Sequence, residues 1–258
     1  MITVKNLSKH FGGIKAVDGV DLHIDKGSIT GLVGPNGAGK TTMFNLIAGL
    51  YQPTEGEIIL DGEDVTELTS HQLFHKGLLR TFQIAHEFPT LSVLENLMMV
   101  PANQLGEILM NTWLKRRQIQ EEEKLLQEKA EEVIDFLSIS HLKNERAGNL
   151  SGGQKKLLEL ARTMMVDAKV VLLDEVGAGV NRTLLKQIGD AILRLNSERG
   201  YTFCMIEHDM DFISRLCNPV VVLAEGQILT TGTPDEIKSS DAVIEAYLGK
   251  GIKTEATT

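Results

Sequence analysis

The stretch Gly34-Pro35-Asn36-Gly37-Ala38-Gly39-Lys40-Thr41 fits the pattern G-x-x-x-x-G-K-[ST] and lies between an apolar run and a helical pattern. Before it, Ile29-Thr30-Gly31-Leu32-Val33 is short, apolar and bounded by glycine, as a buried strand should be. After it, Met43, Leu46, Ile47 and Leu50 recur at helical spacing. A strand therefore leads into a loop and a helix leaves it. Gly34, Gly37 and Gly39 free the backbone to turn consecutive N–H groups inward around a polyphosphate, and the helix N-terminus adds partial positive charge. Lys40 would reach the β- and γ-phosphates, Thr41 would place its hydroxyl on Mg²⁺, and Thr42 would donate to a further phosphate oxygen.

Working outward, 258 residues are enough to bury a core without disulfides. The net charge of −9 opposes adhesion to nucleic acid or an anionic membrane by charge alone. Cys204 and Cys217 lie in apolar stretches without metal-ligand spacing, which reads as two buried thiols of a reducing compartment. The start, MITVKNLSKH, has no charged lead into a long apolar core, and no window approaches eighteen consecutive apolar residues. The expectation is a cytoplasmic chain whose membrane role, if any, comes through partners.

Toward the N-terminus, Ile2 and Val4, then Val20, Leu22 and Ile24, mark strands separated by Gly12-Gly13 and Asp25-Lys26-Gly27. Residues 56–62 form a further strand closed by an Asp-Gly turn. Residues 66–83 hold a short helical piece and then an apolar strand, Leu78 to Gln83. From Ser92 to about Ser138 the pattern is helical, with breaks at Pro101 and Gly106; its charged stretch, Lys115 to Glu132, reads as a solvated face. Leu150-Ser151-Gly152-Gly153-Gln154 then precedes a helix, with Ser151 and the N–H groups of Gly152 and Gly153 forming a second anion site at its start. The apolar strand Val170 to Leu173 runs into Asp174-Glu175, a helix spans about Arg182 to Arg199, and the strand Tyr201 to Ile206 leads to Glu207-His208-Asp209. A hairpin and a helical region reaching Gly249 follow, and the tail reads as frayed. Alternating strands and helices of this kind imply right-handed crossovers and a mainly parallel sheet.

Beside a phosphate loop, a carboxylate at the end of a buried strand is what Mg²⁺ needs, and Asp174 fits that role directly or through water. Glu175 stands one residue nearer the γ-phosphate and would polarise an attacking water as general base.

Taken together, the ordered set resembles the ATP-binding-cassette ATPases over nearly the whole chain. Gly34 to Thr42 match the family's first nucleotide motif, Gln83 its glutamine loop, and Leu150 to Gln154 its signature. Val170 to Glu175 match its second nucleotide motif, His208 its switch histidine, Ala178-Gly179-Val180-Asn181 its inter-subunit loop, and Phe11 the aromatic that stacks on adenine. The resemblance implies an α/β fold: a P-loop NTPase core with a mainly parallel sheet, an N-terminal antiparallel β layer, and a helical signature subdomain over about residues 92–165 of a single domain spanning about residues 1–250. It implies ATP and Mg²⁺ as cofactors, with Gln83 joining Thr41 and Asp174 at the metal, and Glu175, His208 and Gln83 in catalysis. It also implies that two ATPase subunits, identical or sisters, clamp ATP between the phosphate loop of one and the signature of the other.

Within the family, the pieces Arg80 to Gln83, Val93 to Leu97, Ile206 to Asp209 and Ala242 to Gly249 look like the ATPase subunits of branched-chain amino acid importers. Such a subunit sits on the inner face of the membrane through permease subunits, works indirectly with a solute-binding protein, and engages no nucleic acid. The ATPase of lipopolysaccharide export is the related alternative. A soluble cassette of DNA repair or translation is the rival class, and lacks support in a short insert and an acidic chain. Two residues depart from the family pattern. Val176 replaces the usual Pro after the catalytic Glu, which leaves open a nucleotide sensor without turnover, and Asn181 replaces the frequent Asp. If Glu175 is extended, Val176→Pro should be tolerated.

Overall fold

The structure, a computed structural model, describes residues 1–81, 87–102, 104–166 and 168–248. The expected roles of Gln83 and of the tail beyond residue 248 therefore lie outside the described residues.

Two compact units make up the chain, one from residues 1–80, 169–176 and 192–258, the other from residues 81–168 and 177–191. The first begins with β1 (Ile2–Phe11), β2 (Ile14–Ile24) and β3 (Ile29–Val33), followed by α1 (Lys40–Ile47), β4 (Glu55–Leu60), β5 (Glu63–Asp64), α2 (Ser70–His75) and β6 (Leu78–Arg80). β6 does not include Thr81, and residues 82–83 of the expected strand lie outside the described residues. The second unit holds α3 (Val93–Met98), α4 (Leu109–Leu114), α5 (Arg116–Phe136) and α6 (Gly152–Met164). β7 (Val170–Asp174) belongs to the first unit, and α7 (Arg182–Arg199) starts in the second and ends in the first. Then come β8 (Thr202–Ile206), α8 (Met210–Leu216), β9 (Val220–Ala224), β10 (Gln227–Gly232), α9 (Pro234–Ser239) and α10 (Asp241–Leu248).

Among the described residues the first unit carries two sheets. An antiparallel sheet runs β2-β1-β4-β5, and a second sheet runs β10-β9-β3-β8-β7-β6. In the latter β6 through β9 are parallel, and only β10 joins its neighbour antiparallel. Every residue of β3, β7 and β8 is buried, which explains why these strands read as continuous apolar runs rather than alternating ones. Ile2, Val4, Leu7 and Ile58 of the antiparallel sheet share one core with Met43, Phe44 and Ile47 of α1 and with Leu32, Leu172 and Ile206. Burying each such side chain contributes about 1.5–3 kcal/mol. The sheet order puts β3 beside β8, and β8 beside β7, so that three consecutive parallel strands deliver their carboxyl ends side by side. Among the described residues no helix is long and apolar enough to cross a membrane.

In the second unit α5 buries Ala130, Val133 and Ile134, while most of its first half is exposed, as its charge density predicts. α3 starts in a reciprocal cap between Ser92 and Glu95, whose carboxyl is held below the usual range by hydrogen bonds from the Ser92 N–H and hydroxyl.

Candidate functional site

The loop after β3 is shaped by contacts that only glycine permits. A Cβ on Gly34 would fall 2.0 Å from the carbonyl oxygen of Leu223, and one on Gly39 would fall 2.2 Å from that of Ala16. Gly39, with φ of 101°, opens α1 without any side-chain cap. Contrast α2, α3, α6 and α9, each of which starts in a capping box. A helix start without a side-chain cap leaves the first-turn N–H groups of Lys40, Thr41 and Thr42 able to take an outside acceptor, and a phosphate is one.

Lys40 is buried, and its ammonium donates to the carbonyl oxygens of Gly34 (2.7 Å) and Pro35 (3.0 Å). Burial lowers its pKa from the usual lysine value, with the charges of Glu175 and then Asp174 pulling the other way. A desolvated cation resting on neutral carbonyls, with two carboxylates nearby, is well placed to prefer a polyphosphate.

At the end of β7, Asp174 is buried and its Oδ2 accepts from Arg80 Nη2 at 2.7 Å. Arg80 also donates through Nη1 to Asn45 of α1 and lies 6.0 Å from the centre of the Phe44 ring. The next residue, Glu175, has a left-handed backbone with φ of 49°, not the extended one considered from the sequence. Its N–H donates to the Ile206 carbonyl (3.0 Å), which holds this uncommon conformation in place. Its Oε1 lies 2.9 Å from Nε2 of His208, the residue reached by β8. An ionised carboxylate only accepts, so Nε2 carries the hydrogen in this pair. Buried Val176 follows without the N–H loss or the restriction on Glu175 that proline would bring.

Phe11, at the end of β1, is 43% exposed and meets Tyr51 edge to face at 5.5 Å. Its ring stands at the surface rather than in the core, with the Lys9 ammonium over it at 5.4 Å from the ring centre.

In the second unit Ser151 caps α6. Its Oγ accepts from the Gln154 N–H (3.4 Å), and the Gln154 Oε1 accepts from the Ser151 N–H (2.8 Å). The box uses neither the Gly152 nor the Gly153 N–H. Gly152 has open space around it, whereas a Cβ on Gly153 would fall 2.1 Å from Leu184 Cδ2 and 3.0 Å from Val180 Cγ1. Gly153 therefore lets α6 start against the first turn of α7. Asn181, where many relatives of this motif carry Asp, accepts from the Leu184 N–H at 2.9 Å and caps α7, a task for which Asn and Asp are equally suited.

Three participants were not assigned from the sequence. Arg80 had a legible signal, since a cation within an apolar strand must find a buried partner. Asn45 and Tyr247 had none: the first is one polar residue on a helix, and the second, from α10, hydrogen-bonds the Gly34 backbone through its hydroxyl.

The chain resembles known proteins over nearly its whole length. The ABC transporter family model matches residues 17–178, and that of the branched-chain amino acid ATP-binding cassette transporter matches residues 227–253. The chain is 36% identical to the high-affinity branched-chain amino acid transport ATP-binding protein BraF of Pseudomonas aeruginosa, over 97% of this chain and 98% of that one. It is 34% identical to the corresponding LivG protein of Escherichia coli, with the same coverage. The ADP conformation of an ATP-binding cassette of an ABC transporter superposes with a TM-score of 0.82 at 36% identity, over 97% of this chain and 99% of that one. With more than half its length matched by the family model and near full-length relatives, the chain belongs to the ABC transporter family, as one of its ATP-binding, ATP-hydrolysing cassettes.

Proposed function

We propose that this cassette drives the uptake of branched-chain amino acids, or of a related amino acid or amide, through permease subunits on which it sits at the inner face of the membrane. The observation that carries the catalytic part is topological. Parallel neighbours β3, β8 and β7 end in the phosphate loop, in His208 and in Asp174-Glu175, and the carboxyl edge of such a sheet is where ligands bind. The full-length likeness to branched-chain amino acid transport proteins supports the substrate class.

Each residue then has a task. Phe11 stacks on the adenine. The N–H groups from Asn36 through Thr42 hold the phosphates, Gly34, Pro35, Gly37, Ala38 and Gly39 giving the loop its course, and Lys40 leaves the two carbonyls for the β- and γ-phosphates. The Thr41 hydroxyl and the Asp174 carboxylate form an all-oxygen donor set of the kind a small hard cation takes, and so fit Mg²⁺; Gln83 is the further ligand expected. Mg²⁺, when bound, neutralises charge on the phosphate oxygens. Glu175 takes the proton of the attacking water, and His208 orients Glu175 before ATP enters. Ser151, Gly152, Gly153 and Gln154 present the second helix start to the γ-phosphate of the ATP held by a second subunit, so that hydrolysis releases the pair.

Two damaged variants test the shared site. Lys40→Ala spoils the phosphate loop, and Gly152→Asp puts a carboxylate where open space surrounds the signature; Gly153 would instead report its packing on Leu184. Each variant alone should fail to trap ATP in a Glu175→Gln background. Mixed dimers, verified with tags of different size, should regain trapping at their one intact site. Mixed dimers that form and trap no ATP contradict the shared site.

A further inference from the structure

α4 of the second unit is amphipathic the wrong way round for a core helix. Leu109, Met110, Trp113 and Leu114 are 84%, 71%, 89% and 77% exposed. At 100° per residue they share one face about 140° wide. The polar side chains serve the protein instead: Asn111 Nδ2 donates to the Leu105 carbonyl (3.1 Å), and the Thr112 hydroxyl donates to that of Leu109 (2.6 Å). Ile108, just before the helix, is also 58% exposed. Four large apolar side chains turned together to the outside imply a covering partner.

We propose that this partner is the interfacial layer of a phospholipid bilayer. Three exposed cations, Lys115-Arg116-Arg117, follow the apolar face directly, in a chain whose net charge is −9. Tryptophan and leucines on one face with lysine and arginine beside them are the composition of helices that lie in a membrane surface. The acidic run that follows does not cancel the cations. Glu122 turns inward to accept from the Leu105 N–H (2.8 Å), and although Glu121 pairs with Arg117 Nε (3.1 Å), Lys115 and Arg116 remain exposed beside the apolar face. Six residues are far too few to span, so the segment rests on the surface, steadying the second unit against the bilayer.

Trp113 is the sole tryptophan, so its emission reports this face alone. The full chain, without nucleotide or permease, is titrated with vesicles of phosphatidylcholine and phosphatidylglycerol, which keeps the test separate from the transport reading. The expected result is a blue shift, quenching by brominated acyl chains, and co-flotation with the vesicles. Leu109→Asp, at an exposed position where folding is not at stake, should weaken partitioning about tenfold or more. Lys115→Glu with Arg116→Glu should weaken it on anionic vesicles and leave zwitterionic ones little changed. Emission unmoved by lipid overturns the proposal. So does a blue shift that follows protein concentration without lipid, which identifies a second copy, or one that needs permease in the vesicles, which identifies a protein partner.

Discussion

Replacing Arg80 by methionine removes a buried ion-pair partner of Asp174 while keeping much of the side chain's apolar volume. The two side chains are 8% and 7% exposed and meet at 2.7 Å, so solvent does little to screen what is left behind. Breaking such a pair from one side costs about 3–5 kcal/mol, because the buried carboxylate loses its guanidinium partner. The lost contact with Asn45 adds to that cost. At about 2–4 °C per kcal/mol for a chain of this size, the apparent midpoint of thermal unfolding, followed by circular dichroism, should fall by roughly 10 °C. ATP with Mg²⁺ should then raise the variant's midpoint by more than the wild type's, since a bound cation beside Asp174 replaces the missing one. A midpoint within about 2 °C of wild type refutes the claim that Arg80 neutralises Asp174. An equal rise with Mg²⁺ and ATP in both proteins refutes the claim that Asp174 faces the metal.

Val176→Pro should destabilise by roughly 1–3 kcal/mol, since proline drives the preceding residue out of the conformation that Glu175 adopts and away from Ile206 and His208. Unchanged denaturant midpoints and unchanged turnover would show that Glu175 moves freely between the two backbone states. Both cysteines are buried, with the Cys204 thiol pushed up to about 12 by burial and Cys217 raised as well, so neither should react with iodoacetamide near pH 8 until the protein unfolds. Labelling of native protein at the rate of a free thiol contradicts that burial.

Local patterns carried most of the architecture. The phosphate loop, β7 running into Asp174, and α7 between Arg182 and Arg199 were legible because each buried strand or capped helix announces itself within a few residues. The left-handed backbone of Glu175 was not, because it depends on a carbonyl 31 residues away, that of Ile206. The same holds for the Arg80 pair with Asp174, which arises only once β6 lies beside β7, and for Tyr247 against Gly34. β9 read as half of a terminal hairpin, yet it also pairs in parallel with β3 inside the main sheet, a long-range choice that its own residues do not encode. α8 is not legible in the sequence because its seven residues are too few to establish a period. The outward face of α4 is masked in the sequence by the charged stretch after it, whose pattern is that of a solvated helix.

The central claim is that ATP bound at the end of β3 is hydrolysed with Glu175 as base. Phosphate release under saturating ATP and Mg²⁺, measured side by side for the wild type and Glu175→Gln, tests it most directly, with ATP affinity determined for both by calorimetry. The glutamine keeps the shape of the side chain and cannot take the water's proton, so affinity should persist while phosphate release falls by roughly 10²-fold or more. Phosphate release by Glu175→Gln near the wild-type rate would contradict the account.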